Sequence, residues 1–446
     1  MTANIVGKVP KKRWVYLLPV FFLVNFFGFM DRQVISFALP GGMAEELGLT
    51  ASIAGLASGI FAAGALCLQI TAGQMATNGK AKAFVTFSII TWSICALLTG
   101  FVQNEWQLLA ARFFLGVFEG ALSPAVMTLI TFWFPDRNGE RAKATSVFFT
   151  AVSAAGVLTG PLAGTILEFS NWRALFIILS IVGLLTAVAW AIFVAERPEH
   201  AKWLSKEERD YIVRTINEER EIVKKKNQNK DTNSSKSKLG LVLTNKFVWL
   251  LCIIGFAVNM GQFGFSMWMP QMIQNLGIQN MAVIGWVSVL PNFAVIVGLW
   301  SWAAIAARVK DRRLTTGTPL LFLGLFLVMS TFISGNVVIG IAMMCLTAFF
   351  MQGHMPSYYS LPSLLVVEEL DGTTRGVMGV AMGLGAFVGP YLVGLLISLF
   401  GSTTSGMYFL GFVLAAGFLT SLLLPKNIGA IDSTNKQKEE INTSIL

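Results

Sequence analysis

Windows of about 20 consecutive apolar residues, the length a helix needs to cross the hydrocarbon of a bilayer, recur throughout the chain. They fall near residues 15–39, 51–76, 83–102, 106–131, 144–167, 173–194, 246–272, 282–306, 316–334, 337–365, 376–399 and 406–424. Twelve such windows leave sequence only for connections and tails, so the chain is read as an all-α integral membrane protein with twelve transmembrane helices. Composition agrees: 54% of the 446 residues are hydrophobic and only 13% are charged, far too apolar for a soluble fold. The first window carries Asp31 and Arg32 and lacks a small-residue cleavage pattern, so it is expected to stay as a span and not to be removed as a signal peptide.

A net charge of +9 would suit nucleic acid, but its distribution excludes that partner. Of the 33 Lys and Arg, all except Arg32, Arg112 and Arg173 fall in the N-terminus, the even-numbered connections and the C-terminus. The positive-inside rule then places both termini and the long central connection in the cytoplasm of a multi-pass plasma-membrane protein, with a bacterial inner membrane the expected setting. Cys67, Cys95, Cys252 and Cys345 all lie inside windows, spaced for neither a disulfide framework nor a metal site. No metal-ligand cluster, phosphate-binding glycine loop or nucleophile with a His or acid partner is visible, so no enzyme, cofactor or metal is expected. A non-transporting membrane sensor is the alternative of a different class, and the short tails offer it no signalling domain.

The composition changes sharply between Arg197 and Lys246. KWLSKEERDYIVRTINEEREIVKKK is an acidic and basic helix-forming stretch, with Ser205 and Glu208 at capping-box spacing, and NQNKDTNSSKSK after it is a polar tether with nothing to bury. This predicts a six-helix bundle over 1–196, a solvated cytoplasmic helix and linker over 197–245, a second six-helix bundle over 246–425 and a cytoplasmic tail over 426–446. The halves echo each other. Gly156 to Pro161 (GVLTGP) in the fifth window matches Gly385 to Pro390 (GAFVGP) in the eleventh. Glu119-Gly120 with Pro124 in the fourth matches Gln352-Gly353 with Pro356 in the tenth. Two pseudo-symmetric repeats fit this pattern. The Gly-Pro steps suit either close helix packing or a bend used in motion.

Four ionisable residues other than histidine remain within the spans: Asp31, Arg32, Arg112 and Glu119. A charge at bilayer depth costs about 2.5–3.5 kcal/mol on insertion scales, so it is normally kept by a partner or a ligand. Arg112 and Glu119 are two helical turns apart, on one face and about 10 Å from each other. Depth along the helices lets Asp31 meet Arg112 as an ion pair. Arg32, about a hundred degrees round the helix, then faces elsewhere, toward an incoming anion. Two arginines and two ionised acids sum to zero, so an arriving carboxylate leaves one charge too many, and protonating one acid restores neutrality. Glu119, central and without an obvious adjacent base, is the candidate proton carrier. The plainer alternative is two structural ion pairs that lock the first and fourth spans.

The second half offers polar and aromatic groups instead. Asn259, Gln262, Trp268, Gln271, Asn292, Gln352, His354, Ser357, Tyr358 and Tyr359 suit hydrogen bonding to a ligand, or to neighbouring helices. His354 is the only histidine within a span.

With twelve spans in two halves, basic turns such as Arg308 to Arg313 (RVKDRR) and a central cytoplasmic helix, the chain resembles the major facilitator superfamily. Asp31-Arg32, the Arg-x6-Glu of Arg112 and Glu119, and the WLSKEERDYI stretch resemble its anion:cation symporter branch. The resemblance implies a monomeric transporter that imports a small organic anion with protons by alternating access; an exporter or exchanger of such anions is the alternative. It implies Arg32, Gln262, Trp268, Gln352, His354, Ser357 and Tyr358 as substrate contacts. It also implies Asp31, Glu119 and Arg112 as the proton-coupling set. There are departures. Phe29 stands where sugar-acid members often have tyrosine, and GVMGVAMGLG carries Met where asparagine is common, which favours a less hydroxylated anion. Thr77-Asn78 replace the usual Asp-Arg of the first basic turn, and Ala307-Arg308 is the counterpart in the second half.

Overall fold

A computed structural model describes residues 11–426 except 69–70, 73–74, 76–78, 137–138, 229–237, 310 and 334–335. The Thr77-Asn78 departure and most of the polar tether therefore lie outside the described residues. Those described form helices and turns without a strand. The first six apolar helices are α1 (Lys12–Glu46), α2 (Ala51–Cys67), α3 (Ala81–Thr99), α4 (Glu105–Trp133), α5 (Glu140–Phe169) and α6 (Trp172–Phe193). The charged helix α7 (Lys206–Gln228) follows. Then come α8 (Lys246–Asn275), α9 (Met281–Arg308), α10 (Arg312–Ser330), α11 (Val337–Leu365), α12 (Leu370–Phe400) and α13 (Thr403–Leu422). Eleven of these are long and apolar enough to cross a membrane, and α2 is apolar over 17 residues, about 25 Å at the helical rise.

Short polar residues start the helices. Asn104, Asn171, Asn280 and Asn336 each accept from the backbone N–H three residues on, and Asn245, Asp311 and Ser402 from the one two residues on. Each satisfies an otherwise orphaned donor of a first turn. At the other end of α12, Gly401 adopts a left-handed φ of 69°, the conformation that ends helices and that glycine takes without strain. In α6 the exposed Ile178, Ile181, Leu185, Val188 and Ile192 form one stripe while Leu175, Phe176, Leu179, Gly183 and Trp190 are buried on the other. Both faces are apolar, as lipid requires.

Contacts group the chain into two units: Met1–Val34, Ala63–Thr159 and Asn171–Asn233 in one, and Ile35–Ala62, Gly160–Ser170 and Ser234–Leu446 in the other. The first unit packs Leu17, Phe21 and Val24 of α1 with Ile89 and Trp92 of α3, Leu129 and Trp133 of α4 and Trp190 of α6. Its charged helix α7 departs from the solvated helix expected. Ile212 is fully buried, and so is the Glu208 carboxylate, which accepts from the backbone N–H of Lys12 and of Arg13 and from Arg13 Nη1 at 2.8 Å. Arg13, itself buried, also pairs with Glu140 at 2.7 Å. Lys11, the residue before α1, supplies no side-chain cap, so a carboxylate almost two hundred positions away does so. The periodicity of Leu204, Glu208, Ile212 and Ile216 was the sequence signal for a docked face.

In the second unit, close backbone approach is the rule. A Cβ at Gly385 or Gly389 of α12 would strike the carbonyl oxygens of Phe256 or Met260 on α8, and one at Gly160 would strike Gly285 and Ser288 on α9. With no hydrophobic drive between helices in lipid, such contacts carry the association. Both Gly-Pro steps are therefore close-packing sites. Asp311 caps α10 and accepts from Arg313 Nη2 at 2.8 Å; the Arg313 guanidinium holds its carboxyl below the ordinary range.

Candidate functional site

Helix α1 is regular from Lys12 to Gln33, turns at Val34, resumes over Ile35–Ala38 and opens into a wide turn at Leu39–Met43, where Gly42 has φ 105°. Asp31 and Arg32 thus occupy the last turn of a regular segment. Helix α4 is interrupted too: one segment ends at Gly120 and the next begins at Leu122, so Glu119 also lies at a helix break. Interrupted helices are where membrane transporters expose unpaired backbone and place polar side chains.

All four charges come together in the first unit. Arg32 Nη2 donates to Glu119 Oε1 at 2.9 Å. Arg112 Nη1 and Nη2 donate to the backbone carbonyls of Asp31 and Arg32, each at 3.3 Å. The ion pair that forms is therefore Arg32 with Glu119, in place of the expected Asp31 with Arg112. Two physical reasons account for the difference. Arg112 meets the C-terminal end of a helical segment, where carbonyls project and a cation is favoured. Gly28, one turn before Arg32, leaves a side-chain-free surface: a Cβ there would lie 3.6 Å from Glu119 Oε1. The Glu119 carboxylate lies against that surface and meets the guanidinium. Glycine at i−4 from the arginine was the signal that sequence reasoning missed.

The four groups differ in access. Asp31, Arg112 and Glu119 are sealed, whereas the Arg32 side chain is 33% exposed. The guanidinium also lies 5.6 Å from the centre of the Phe29 ring, so the residue standing where tyrosine was expected serves as a cation–π face. Both carboxylate oxygens of Asp31 and Oε2 of Glu119 have no hydrogen-bond partner among the described residues.

In the second unit the candidates divide. Tyr358 donates to the Leu251 carbonyl at 2.8 Å, Ser357 to Thr315 Oγ1 at 2.6 Å and Trp268 to the Pro390 carbonyl at 3.4 Å. These three tie helices together. Asn259 likewise donates to the Met382 carbonyl and Asn292 to that of Ser288. Gln262 and Gln352 are half-buried and make no side-chain hydrogen bond among the described residues, and buried His354 keeps Nε2 unpartnered. Gln352 sits at the break in α11 that matches the break after Glu119 in α4. Two helices of equal rank are thus interrupted at echoing positions, one with an acid and one with its amide.

The family model for the Major Facilitator Superfamily matches residues 21–389. The chain is similar to the "Putative tartrate transporter" of Agrobacterium vitis, 26% identical over 441 residues that cover 97% of this chain and 99% of the relative. It is also similar to the "Probable sulfoacetate transporter SauU" of Cupriavidus necator, 27% identical over 439 residues, 96% of this chain and 97% of that one. Among solved structures, a bacterial homologue of the human lysosomal transporter Spinster, in an inward-facing and unoccupied conformation, superposes with a TM-score of 0.71. It covers 94% of this chain and 96% of its own at 16% identity, a likeness of fold.

Proposed function

The chain belongs to the Major Facilitator Superfamily of membrane transporters, and from that premise we propose that it imports a small organic anion together with protons by alternating access. The transport role makes it a multi-pass membrane protein and not an enzyme. The anion specificity is supported by relatives named for tartrate and sulfoacetate and by the positively charged group best placed to receive a carboxylate.

One observation carries the reading: Arg32 is the only member of the four-charge cluster with a substantially exposed side chain, and its partner is an acid. A proton arriving on Glu119 cancels the negative charge that holds the guanidinium. Arg32 then offers its charge and its fork of donors to a substrate carboxylate. When the proton leaves, Glu119 competes for Arg32 and the anion is released. Proton and anion are thereby linked through one guanidinium, and the charge of the cluster stays balanced in each state. In this scheme Arg112 is the fixed cation that holds α1 to α4, and Asp31 is a second proton-handling acid whose charge has no hydrogen-bond donor on it.

Gln262, Gln352 and His354 are the second-half groups with hydrogen-bonding capacity to spare for the rest of the substrate. Trp268, Ser357 and Tyr358 support them from the helix contacts already described. Phe29 beside Arg32 favours an anion with few hydroxyls near its carboxylate. The six-helix division at 197–245 and cytoplasmic termini complete the proposal. Uptake into proteoliposomes, screened over organic acids with and without an imposed proton gradient, tests it; a gradient-stimulated acid that loses stimulation in Glu119→Gln is the expected result.

A further inference from the structure

Trp92 of α3 is completely buried, and its indole Nε1 has no hydrogen-bond partner among the described residues. Both carboxylate oxygens of Asp31, on α1, are in the same condition. One group only donates and the other, when ionised, only accepts. They face one another inside the first unit without reaching full hydrogen-bond geometry. A packing role does not call for an indole N–H at this depth, since phenylalanine fills apolar space without an orphaned donor.

The approach depends on α6, which packs against both α1 and α3. At Gly183 that helix has no side chain. A Cβ there would come within 3.5 Å of Trp92 Nε1 and would press on Ser93 Oγ. The gap at Gly183 is the passage through which the indole edge reaches toward α1. The charged groups around the Asp31 carboxyl are Glu119 and Arg112 from α4 and Arg32 from its own helix; α3 contributes Trp92, and α6 contributes the glycine.

We propose that Trp92 is a positioning residue for the coupling proton: its indole N–H donates to the ionised Asp31 carboxylate and lets go when that carboxylate takes up a proton. The inference rests on the reading of Asp31 as a proton-handling acid. No covalent bond of the indole changes. The proton bound by Asp31 comes from water and returns to water, and the indole keeps its own hydrogen throughout. A donor on the charged form favours that form, so Trp92 sets how readily Asp31 is neutralised and couples that event to the packing of α3 on α1.

The test needs protons alone as the probe. Full-length protein in lipid, with 15N-labelled indoles, is titrated with pH and followed by infrared difference spectroscopy for the wild type, Trp92→Phe and Asp31→Asn. The carboxyl band absent from Asp31→Asn reports Asp31, and the indole band absent from Trp92→Phe reports Trp92. The expected result is that the two bands change together in the wild type and that the indole band is pH-independent in Asp31→Asn. In Trp92→Phe the Asp31 midpoint should move to lower proton concentration by about tenfold, the scale of one lost hydrogen bond to a charged group. A pH-independent Trp92 band in the wild type, or an unchanged Asp31 midpoint in Trp92→Phe, overturns the role of Trp92 alone. Absence of any Asp31-dependent carboxyl band overturns the reading beneath it as well. If Trp92→Phe does not fold, the wild-type and Asp31→Asn arms still decide.

Discussion

Arg32 and Glu119 are joined at 2.9 Å across two interrupted helices, with the acid sealed and the base one-third exposed. The pair is asymmetric in access, and that asymmetry gives the cluster a direction: an anion approaches the arginine, while the carboxylate behind it is answerable to a proton. Replacing Arg32 by alanine removes the anion's partner and leaves Glu119 without its ion pair. Saturable uptake should fall below a hundredth of wild type, the scale of a lost charge-assisted contact of roughly 3 kcal/mol. Arg32→Lys keeps the charge but loses the planar fork, and should raise the half-saturation concentration about tenfold or more. Initial rates in proteoliposomes check both.

Glu119→Gln keeps the shape of the acid without its titration. Counterflow exchange of labelled for unlabelled substrate should persist, while accumulation driven by a proton gradient is lost. Continued gradient-driven accumulation would move the coupling role from Glu119 to Asp31.

Glu208 lies far from these charges in sequence, yet it supplies the cap of the helix that bears two of them. Glu208→Ala strands the buried Arg13 guanidinium with Glu140 alone. The loss should be roughly 2–5 kcal/mol, the range for breaking a buried hydrogen-bonded charge pair. Thermal unfolding in detergent should show a clear drop in midpoint, with Glu208→Gln lying between alanine and wild type.

The glycines of α12 provide an internal contrast. Gly385→Val forces a side chain against the Phe256 carbonyl and should abolish accumulation of folded protein. Gly376→Ala, where a Cβ meets nothing within 4 Å, should leave the yield and elution profile unchanged. Fluorescence-detected size-exclusion chromatography of both variants makes the comparison.

Much of the fold was legible because lipid imposes a length and a polarity on every spanning segment, and the windows around Trp172–Phe193 or Thr403–Leu422 satisfy both plainly. The four charges were legible for the same reason: nothing apolar explains Asp31, Arg32, Arg112 or Glu119. Their pairing was not. Helical rise and rotation put Asp31 opposite Arg112 but contain no term for the break after Gln33, or for the bare surface at Gly28 against which Glu119 lies. Helix α7 was misjudged from its charge, since Glu208 looked like a partner for Ser205. Half of that capping box does form, with Ser205 Oγ accepting from the Glu208 N–H at 3.3 Å, while the carboxylate turns to a different helix. Among the polar residues of the second half, composition could not separate Tyr358, committed to the Leu251 carbonyl, from Gln352, which makes no such bond.

The central claim is that one guanidinium answers to both a proton and an anion. Its most direct measurement is the uptake of an identified organic acid into wild-type and Glu119→Gln proteoliposomes, with an inward proton gradient and after its collapse by a protonophore. The account predicts accumulation above equilibrium in the wild type only while the gradient stands, and simple equilibration in Glu119→Gln under both conditions. Equal wild-type uptake with and without the gradient would contradict it.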